Sequence, residues 1–321
     1  MIEVPANLSG KHVVVVGLGI EGIDLVKFLT AEGARVTVSD AKPRERLGER
    51  LALLDGLDIQ LSLGVNDPEL AKADAVFTSQ GVPESNPVLV AARERGTPVS
   101  SMMRYYLQHR RGKVLGITGS SGKTTTTTLT AAIFGESGLP YVWGGNVGRP
   151  LLSQLSDTRD DGWSVLEISC SQLELTDRSP NIACVTNVTP NHLDRYTWDQ
   201  YVGLKRHLLA YQTPLDYAVL NLNDPVSRSF KSDTPAETLF FSLSGDTPGD
   251  GSFDRDGWVT WRRNGVETGV MPVADIQLRG RHNVENVLTA TALASLAGIG
   301  PDVIARTVRG FRGVAHRLEY V

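Results

Sequence analysis

Cysteine is nearly absent: two in 321 residues, Cys170 and Cys184, with no C-x-x-C spacing. That excludes a disulfide framework and a cysteine-built zinc site, and it fits a reducing compartment. No apolar run approaches the ~20 residues that a helix needs to cross a bilayer, so no membrane insertion is expected. The opening M-I-E-V-P-A-N-L-S-G-K lacks a basic stretch followed by an apolar one, the mark of a secretory leader. Excess positive charge is missing too: 32 Lys and Arg against 36 Asp and Glu give −4, which argues against a nucleic-acid binder that relies on bulk charge. The short basic cluster His109-Arg110-Arg111-Gly112-Lys113 reads as a solvated linker. What these absences leave is a soluble, cytoplasmic protein of ordinary globular composition, 41% hydrophobic and 21% charged, with length enough for two domains.

Two glycine-rich turns stand out in what is present. Apolar runs at 12–16, 35–39, 59–63, 75–78 and 98–100 read as strands, and helices are expected from 23 to Gly33, at 44–54 and at 86–95. Such alternation predicts a Rossmann-like α/β domain with its ligand beyond the carboxyl ends of the strands. After the first strand comes Gly17-Leu18-Gly19-Ile20-Glu21-Gly22, and Asp40 follows the second, eighteen residues after Gly22. Glycines so spaced allow a tight turn, the close approach of a diphosphate and tight helix–strand packing. NAD and a UDP-sugar both satisfy that geometry. Ser79-Gln80-Gly81, at the end of a later strand, faces the same crevice.

The second turn lies in K-V-L-G-I-T-G-S-S-G-K-T-T-T-T-T-L, residues 113–129. A strand, then Gly119-Ser120-Ser121-Gly122-Lys123-Thr124-Thr125, then a helix make a phosphate cradle, because backbone N–H groups and the helix dipole both favour an anion there. Lys123 would reach the β- and γ-phosphates of ATP, and the Thr124 hydroxyl would serve Mg²⁺. The spacing is a shortened P-loop, since Ile117 stands where the usual pattern has its first glycine. Glu167 ends an apolar strand at 164–168 and supplies a carboxylate for the cation. Further strands are expected at 182–186 and 218–222, with helices at 198–211, 281–296 and 301–308. Short strand candidates between 237 and 270, separated by Gly- and Asp-rich turns, suggest a β-meander or hairpins packed at the edge. The fold class is therefore α/β: a Rossmann-like domain at 1–105, then a P-loop-type ATPase domain at 106–321 with a small extra β-region. Taken by themselves, Lys205 reads as an exposed helix lysine, and His192 as a loop histidine no less than a ligand.

Together T-G-S-S-G-K-T-T (118–125), L-E-I-S-C-S-Q-L-E (166–174), N-V-T-P-N-H-L-D-R-Y (187–196), R-G-R-H-N-V-E-N (279–286) and A-H-R-L-E (315–319) resemble the Mur ligases. With G-L-G-I-E-G in front, the likeness is to the branch that joins D-glutamate to UDP-N-acetylmuramoyl-L-alanine. The resemblance implies that ATP phosphorylates the substrate carboxylate and that the D-glutamate amine displaces phosphate from the acyl phosphate. It implies two Mg²⁺ sites, with Thr124 and Glu167 at one, and His192 and Lys205 at the other. A lysine beside Mg²⁺ is unfavourable as an ammonium but suitable as a CO₂-derived carbamate. Asn146 would contact substrate near the reacting centre, Asn283, Asn286 and Arg317 would surround ATP, and Gly17–Gly22, Asp40 and Ser79–Gly81 would cradle the uridine diphosphate.

Two departures from the family accompany this. Ser169-Cys170-Ser171-Gln172 replaces the common Ser-Ser-Phe-Gln, and the sequence stops at Val321, where Mur ligases continue into a third domain that holds D-glutamate. The expectation is a monomeric, incomplete form that makes little amide by itself. The alternatives are another ligase of the Mur/folylpolyglutamate kind, a non-catalytic nucleotide-binding fragment, or a dehydrogenase resting on G-L-G-I-E-G and Asp40 alone.

Overall fold

A run of valines starts the fold. β1 (His12–Val16) is buried along Val13–Val16 and pairs in parallel on both sides, as a strand with apolar side chains on both faces must. The structure, a computed structural model, describes residues 2–313. It divides into two units: residues up to Arg110 with the short segments Pro150–Ser156 and Glu174–Thr176, and the remainder from Arg111.

In unit 1, α1 (Ile20–Ala31), β2 (Arg35–Asp40), α2 (Gly48–Ala52), β3 (Ile59–Leu63), β4 (Ala75–Thr78), α3 (Pro87–Arg95), β5 (Val99–Ser101) and α4 (Met102–His109) follow β1. The sheet is parallel throughout, in the order β3-β2-β1-β4-β5. The order reverses beside β1, and the ends of β1, β2 and β4 open the crevice there. Val14, Val16 and Val76 pack with Val88, Leu89 and Ala92 of α3. Pro150–Ser156 docks on α1, where the Leu152 amide donates to Asp24 (3.4 Å). Burial raises the pKa of that carboxyl, and the backbone N–H groups of Leu152 and Leu151 oppose the rise.

Two sequence expectations need correction in this unit. The helix expected at 44–54 is a single 3₁₀ turn followed by the five residues of α2. The basic cluster before the P-loop strand is solvated only in part: Arg111 and Lys113 are exposed, while His109 ends α4 (Met102–His109), a helix that is largely buried. Ser101 caps α4, and Arg104, Tyr105 and Tyr106 are almost fully buried. The Arg104 guanidinium is satisfied by the carbonyl oxygens of Val99 and Ile2, while His109 donates through Nε2 to Val4 O (3.0 Å). A charged residue thus sits inside because backbone acceptors meet it, which composition cannot reveal.

Unit 2 contains β6 (Lys113–Thr118), α5 (Lys123–Ser137), β7 (Tyr141–Gly145), β8 (Trp163–Glu167), α6 (Cys170–Leu173), β9 (Ile182–Val185), α7 (Trp198–His207), β10 (Tyr217–Asn221), α8 (Pro225–Ser229), β11 (Glu237–Ser242), β12 (Gly251–Arg255), β13 (Trp258–Arg263), β14 (Val266–Pro272), α9 (Arg281–Leu296) and α10 (Pro301–Gly310). One nine-stranded sheet runs β14-β13-β12-β11-β10-β9-β6-β8-β7. The expected edge strands are present: β12, β13 and β14 form an antiparallel meander at one end of this sheet, and β11 joins them to its parallel part. β11 and β12 pair in parallel, and only β12-β13-β14 turn back antiparallel. α5, α9 and α10 close the core over Leu115, Ile117, Val165, Cys184 and Val219. Among the described residues no helix is long and apolar enough to cross a membrane.

Candidate functional site

In unit 1 the crevice is a cavity of about 430 Å³, and Gly17, Leu18, Gly19, Asp40, Ser79, Gln80 and Gly81 all line it. Gly22 lies beneath: a Cβ there would come 2.1 Å from the Gly17 carbonyl oxygen, so the turn closes only around glycine. Ile20 points out, 89% exposed. Glu21 turns back to accept from the Gln80 amide (3.2 Å) and side-chain Nε2 (2.6 Å). Asp40 staples the cradle's own backbone, accepting from Leu18 N (2.8 Å) and Lys42 N (2.9 Å). Sequence reasoning missed Lys42 and Arg50. Both line the cavity, and Arg50 donates to Leu18 O (2.9 Å). They come from segments without a spacing signal, yet two cations suit a diphosphate.

In unit 2 the P-loop joins β6 to α5. Gly119 has φ +148°, and a Cβ there would lie 1.9 Å from Thr186 Oγ1, so the loop passes where only glycine fits. The N-cap, Gly122, gives α5 no side-chain cap, leaving its N-terminus suited to an anion. The loop is held from the end of β9: Ser120 N and Ser121 N donate to the backbone and side-chain oxygens of Asn187 (2.9 Å each), and Thr186 Oγ1 donates to Ser121 O (2.7 Å). Lys123 Nζ folds back onto the carbonyl oxygens of Gly119 (2.9 Å) and Ser120 (3.2 Å). Thr124 is buried and Thr125 half-buried behind it. Asn283 and Asn286 interlock on α9. Asn286 Nδ2 donates to Asn283 Oδ1 (3.0 Å), and Asn286 Oδ1 accepts from Thr126 on α5 (3.2 Å). Arg317 and the A-H-R-L-E stretch lie outside the described residues.

Glu167 ends β8 almost fully buried, at 1% exposure. Its Oε1 accepts from Asn146 Nδ2 (2.8 Å), whereas Oε2 is buried with no hydrogen-bond partner among the described residues. A carboxylate left so is costly unless a cation completes it, and the residues present therefore fit a divalent ion. Lys205 is not the exposed helix lysine of the bare sequence, for it is 1% exposed. Nζ donates to Thr118 Oγ1 (3.1 Å) and lies 5.1 Å from the centre of the Tyr201 ring. Burial, with repulsion from Lys123, lowers its pKa to about 7, while Cys170 and Glu167 oppose the shift. His192 sits apart on an exposed loop with φ 55°, its ring 6.3 Å from that of Tyr201. Among the described residues no three of His, Cys, Asp and Glu gather as a metal site. Tyr201 escaped the sequence reading. It is buried, touches both His192 and Lys205, and shares a hydrogen bond with Ser120 of the P-loop (2.9 Å).

Comparison with known proteins accounts for both units. Residues 117–294 match the Mur ligase middle domain, and residues 11–101 match the MurD-like N-terminal domain of Mur ligases. The UDP-N-acetylmuramoylalanine–D-glutamate ligase of Symbiobacterium thermophilum is 42% identical across 97% of this chain and 69% of its own length. The enzyme of the same name from Acidobacterium capsulatum is 40% identical across 98% and 69%. In fold, the chain is similar to the UDP-N-acetylmuramate:L-alanyl-gamma-D-glutamyl-meso-diaminopimelate ligase of Neisseria meningitides, with TM-score 0.62, 18% identity and coverage of 96% of this chain and 100% of that one. It is likewise similar to the UDP-N-acetylmuramate-alanine ligase of Thermotoga maritima, with TM-score 0.58, 22% identity and coverage of 96% and 70%. Carrying that family's middle domain over more than half its length and close relatives along nearly all of it, the chain belongs to the Mur ligases.

Proposed function

We propose that the chain carries the UDP-substrate and ATP units of an ATP-dependent amide ligase of peptidoglycan synthesis, one that joins D-glutamate to UDP-N-acetylmuramoyl-L-alanine. The observation that carries the reading is Glu167, in the unit that bears the P-loop, whose Oε2 is buried with no hydrogen-bond partner among the described residues. The names of the relatives give the substrates. Unit 1 is assigned the UDP end: Gly17–Gly22 and Ser79–Gly81 shape the crevice, Asp40 holds its backbone, and Lys42 and Arg50 offset the diphosphate charge. In unit 2, Gly119–Thr125 cradle the ATP phosphates, Asn283 and Asn286 lie toward the base, and Asn146 contacts substrate near the reacting carboxylate.

Lys123 leaves its two carbonyl acceptors for the β- and γ-phosphates, stabilising the charge that moves onto the leaving ADP. Thr124 and Glu167 would hold Mg²⁺, and His192 and Lys205 would serve a second ion. When bound, such ions neutralise the transferred phosphoryl group and the developing acyl phosphate. Lys205, whose pKa of about 7 leaves roughly half of its amine neutral at pH 7, is suited to take up CO₂ through that neutral form, releasing a proton and giving an anionic carbamate. The enzyme is assigned to the cytoplasm, as a monomer, where ATP and nucleotide-linked sugars meet.

Titration of the chain with UDP-N-acetylmuramoyl-L-alanine and with NAD tests the reading. Saturable binding of the UDP compound, lost on Arg50→Ala, is expected. Binding of NAD in its place would sink it and favour the dehydrogenase.

A further inference from the structure

Asn146 is tied to Glu167 twice. Its backbone N–H donates to the Glu167 carbonyl oxygen (2.9 Å), and its side-chain Nδ2 donates to Oε1 (2.8 Å). The preceding residue makes this possible. Gly145 pairs with Glu167 in the β7–β8 register at φ +105°, and a Cβ there would come 2.2 Å from the Glu167 carbonyl oxygen. Backbone can therefore turn over the carboxylate only at a glycine. With Oε1 engaged, rotation of the carboxylate is restrained and Oε2, buried and without a hydrogen-bond partner among the described residues, is the oxygen left to a ligand.

Resting on the reading of Glu167 as a cation ligand, we propose that Asn146 is a positioning residue that acts through Glu167, holding the carboxylate so that it meets the cation with one oxygen. That arrangement favours Mg²⁺, which requires near-octahedral geometry from single oxygens. It disfavours Ca²⁺, which accepts both oxygens of a carboxylate in a larger and looser shell. Asn146 is solvent-exposed, so truncation removes the bond without opening a cavity.

The test is Mn²⁺ binding to the whole chain in the presence of ADP, followed by electron paramagnetic resonance, with Mg²⁺ and Ca²⁺ as competitors. Asn146→Ala is expected to weaken Mn²⁺ by about ten-fold, in the range seen when a residue supporting a metal ligand is removed, and to shift competition toward Ca²⁺. Tryptophan emission, which includes Trp143 three residues away, verifies that the variant keeps its loop. A Mg²⁺/Ca²⁺ preference equal to that of the unaltered chain overturns the proposal, whatever the affinity does. Glu167→Gln separates the two readings, since Gln keeps an acceptor for Asn146 but loses the charge. Undiminished Mn²⁺ binding by Glu167→Gln would remove the underlying assignment of Glu167, and with it this one. Loss there beside an unchanged preference in Asn146→Ala would remove the positioning role alone.

Discussion

Lys205 shows what one residue contributes that its letter does not disclose. In the unfolded chain its amine is an ordinary ammonium, but in the fold burial and the neighbouring Lys123 bring its pKa to about 7. Between pH 7 and about 10.5 the unfolded chain therefore holds a proton that the folded chain has released, so stability rises with pH across that window. Below pH 7 the penalty of a buried ammonium is complete. In CO₂-free, metal-free buffer, Lys205→Met should be more stable than the parent at pH 6.5 by on the order of a few kcal/mol, with the difference shrinking toward pH 10. Urea unfolding at the two pH values measures it, and a pH-independent difference would mean that the amine stays charged in the fold. Neither the burial of Lys205 nor its Tyr201 neighbour could be read from spacing, because α7 taken alone offers equally plausible inward and outward faces.

At the scale of elements, most strands were legible and the supports of the site were not. β1, β3 and β4 run where their apolar residues begin and end. β7 was not foreseen: it is short, with Tyr141 and Trp143 only half-buried, yet it delivers Asn146 to Glu167. α5 opposes its own local preference, since five successive threonines from Thr124 are poor helix formers. Tertiary burial overrides this. Thr126 and Thr130 are fully buried, and Thr130 Oγ1 donates to Thr126 O (2.7 Å). α7 depends on a capping box, in which Thr197 accepts from Gln200 N and Gln200 accepts from Thr197 N. Thr197→Ala should cost about 1 kcal/mol in urea unfolding and loosen the helix that carries Tyr201 and Lys205. No change in midpoint would show that packing of Tyr201 alone fixes it.

Across the whole molecule, aromatic placement divides the two units. All five tryptophans, Trp143, Trp163, Trp198, Trp258 and Trp261, lie in unit 2, so tryptophan emission reports that unit. At one hundred times its Kd, Mg·ADP should raise the unfolding free energy read by tryptophan by about 2.7 kcal/mol. An unmoved transition would take the nucleotide away from unit 2.

Local sequence is enough for the strand-and-turn grammar: valine-rich β1 before G-L-G-I-E-G, β6 before T-G-S-S-G-K-T-T, and the acid that closes β8. Each follows from local chemistry, since buried parallel strands need apolar runs and phosphate cradles need glycine beside a helix N-terminus. That Asp40 bonds to its own loop, that Lys205 is buried, that β11–β14 continue the central sheet, and that Asn146 grips Glu167 emerges only once the chain is folded. These pairings join residues far apart in sequence or on separate strands. Burial and hydrogen-bond partners are properties of such meetings, and no single segment encodes them.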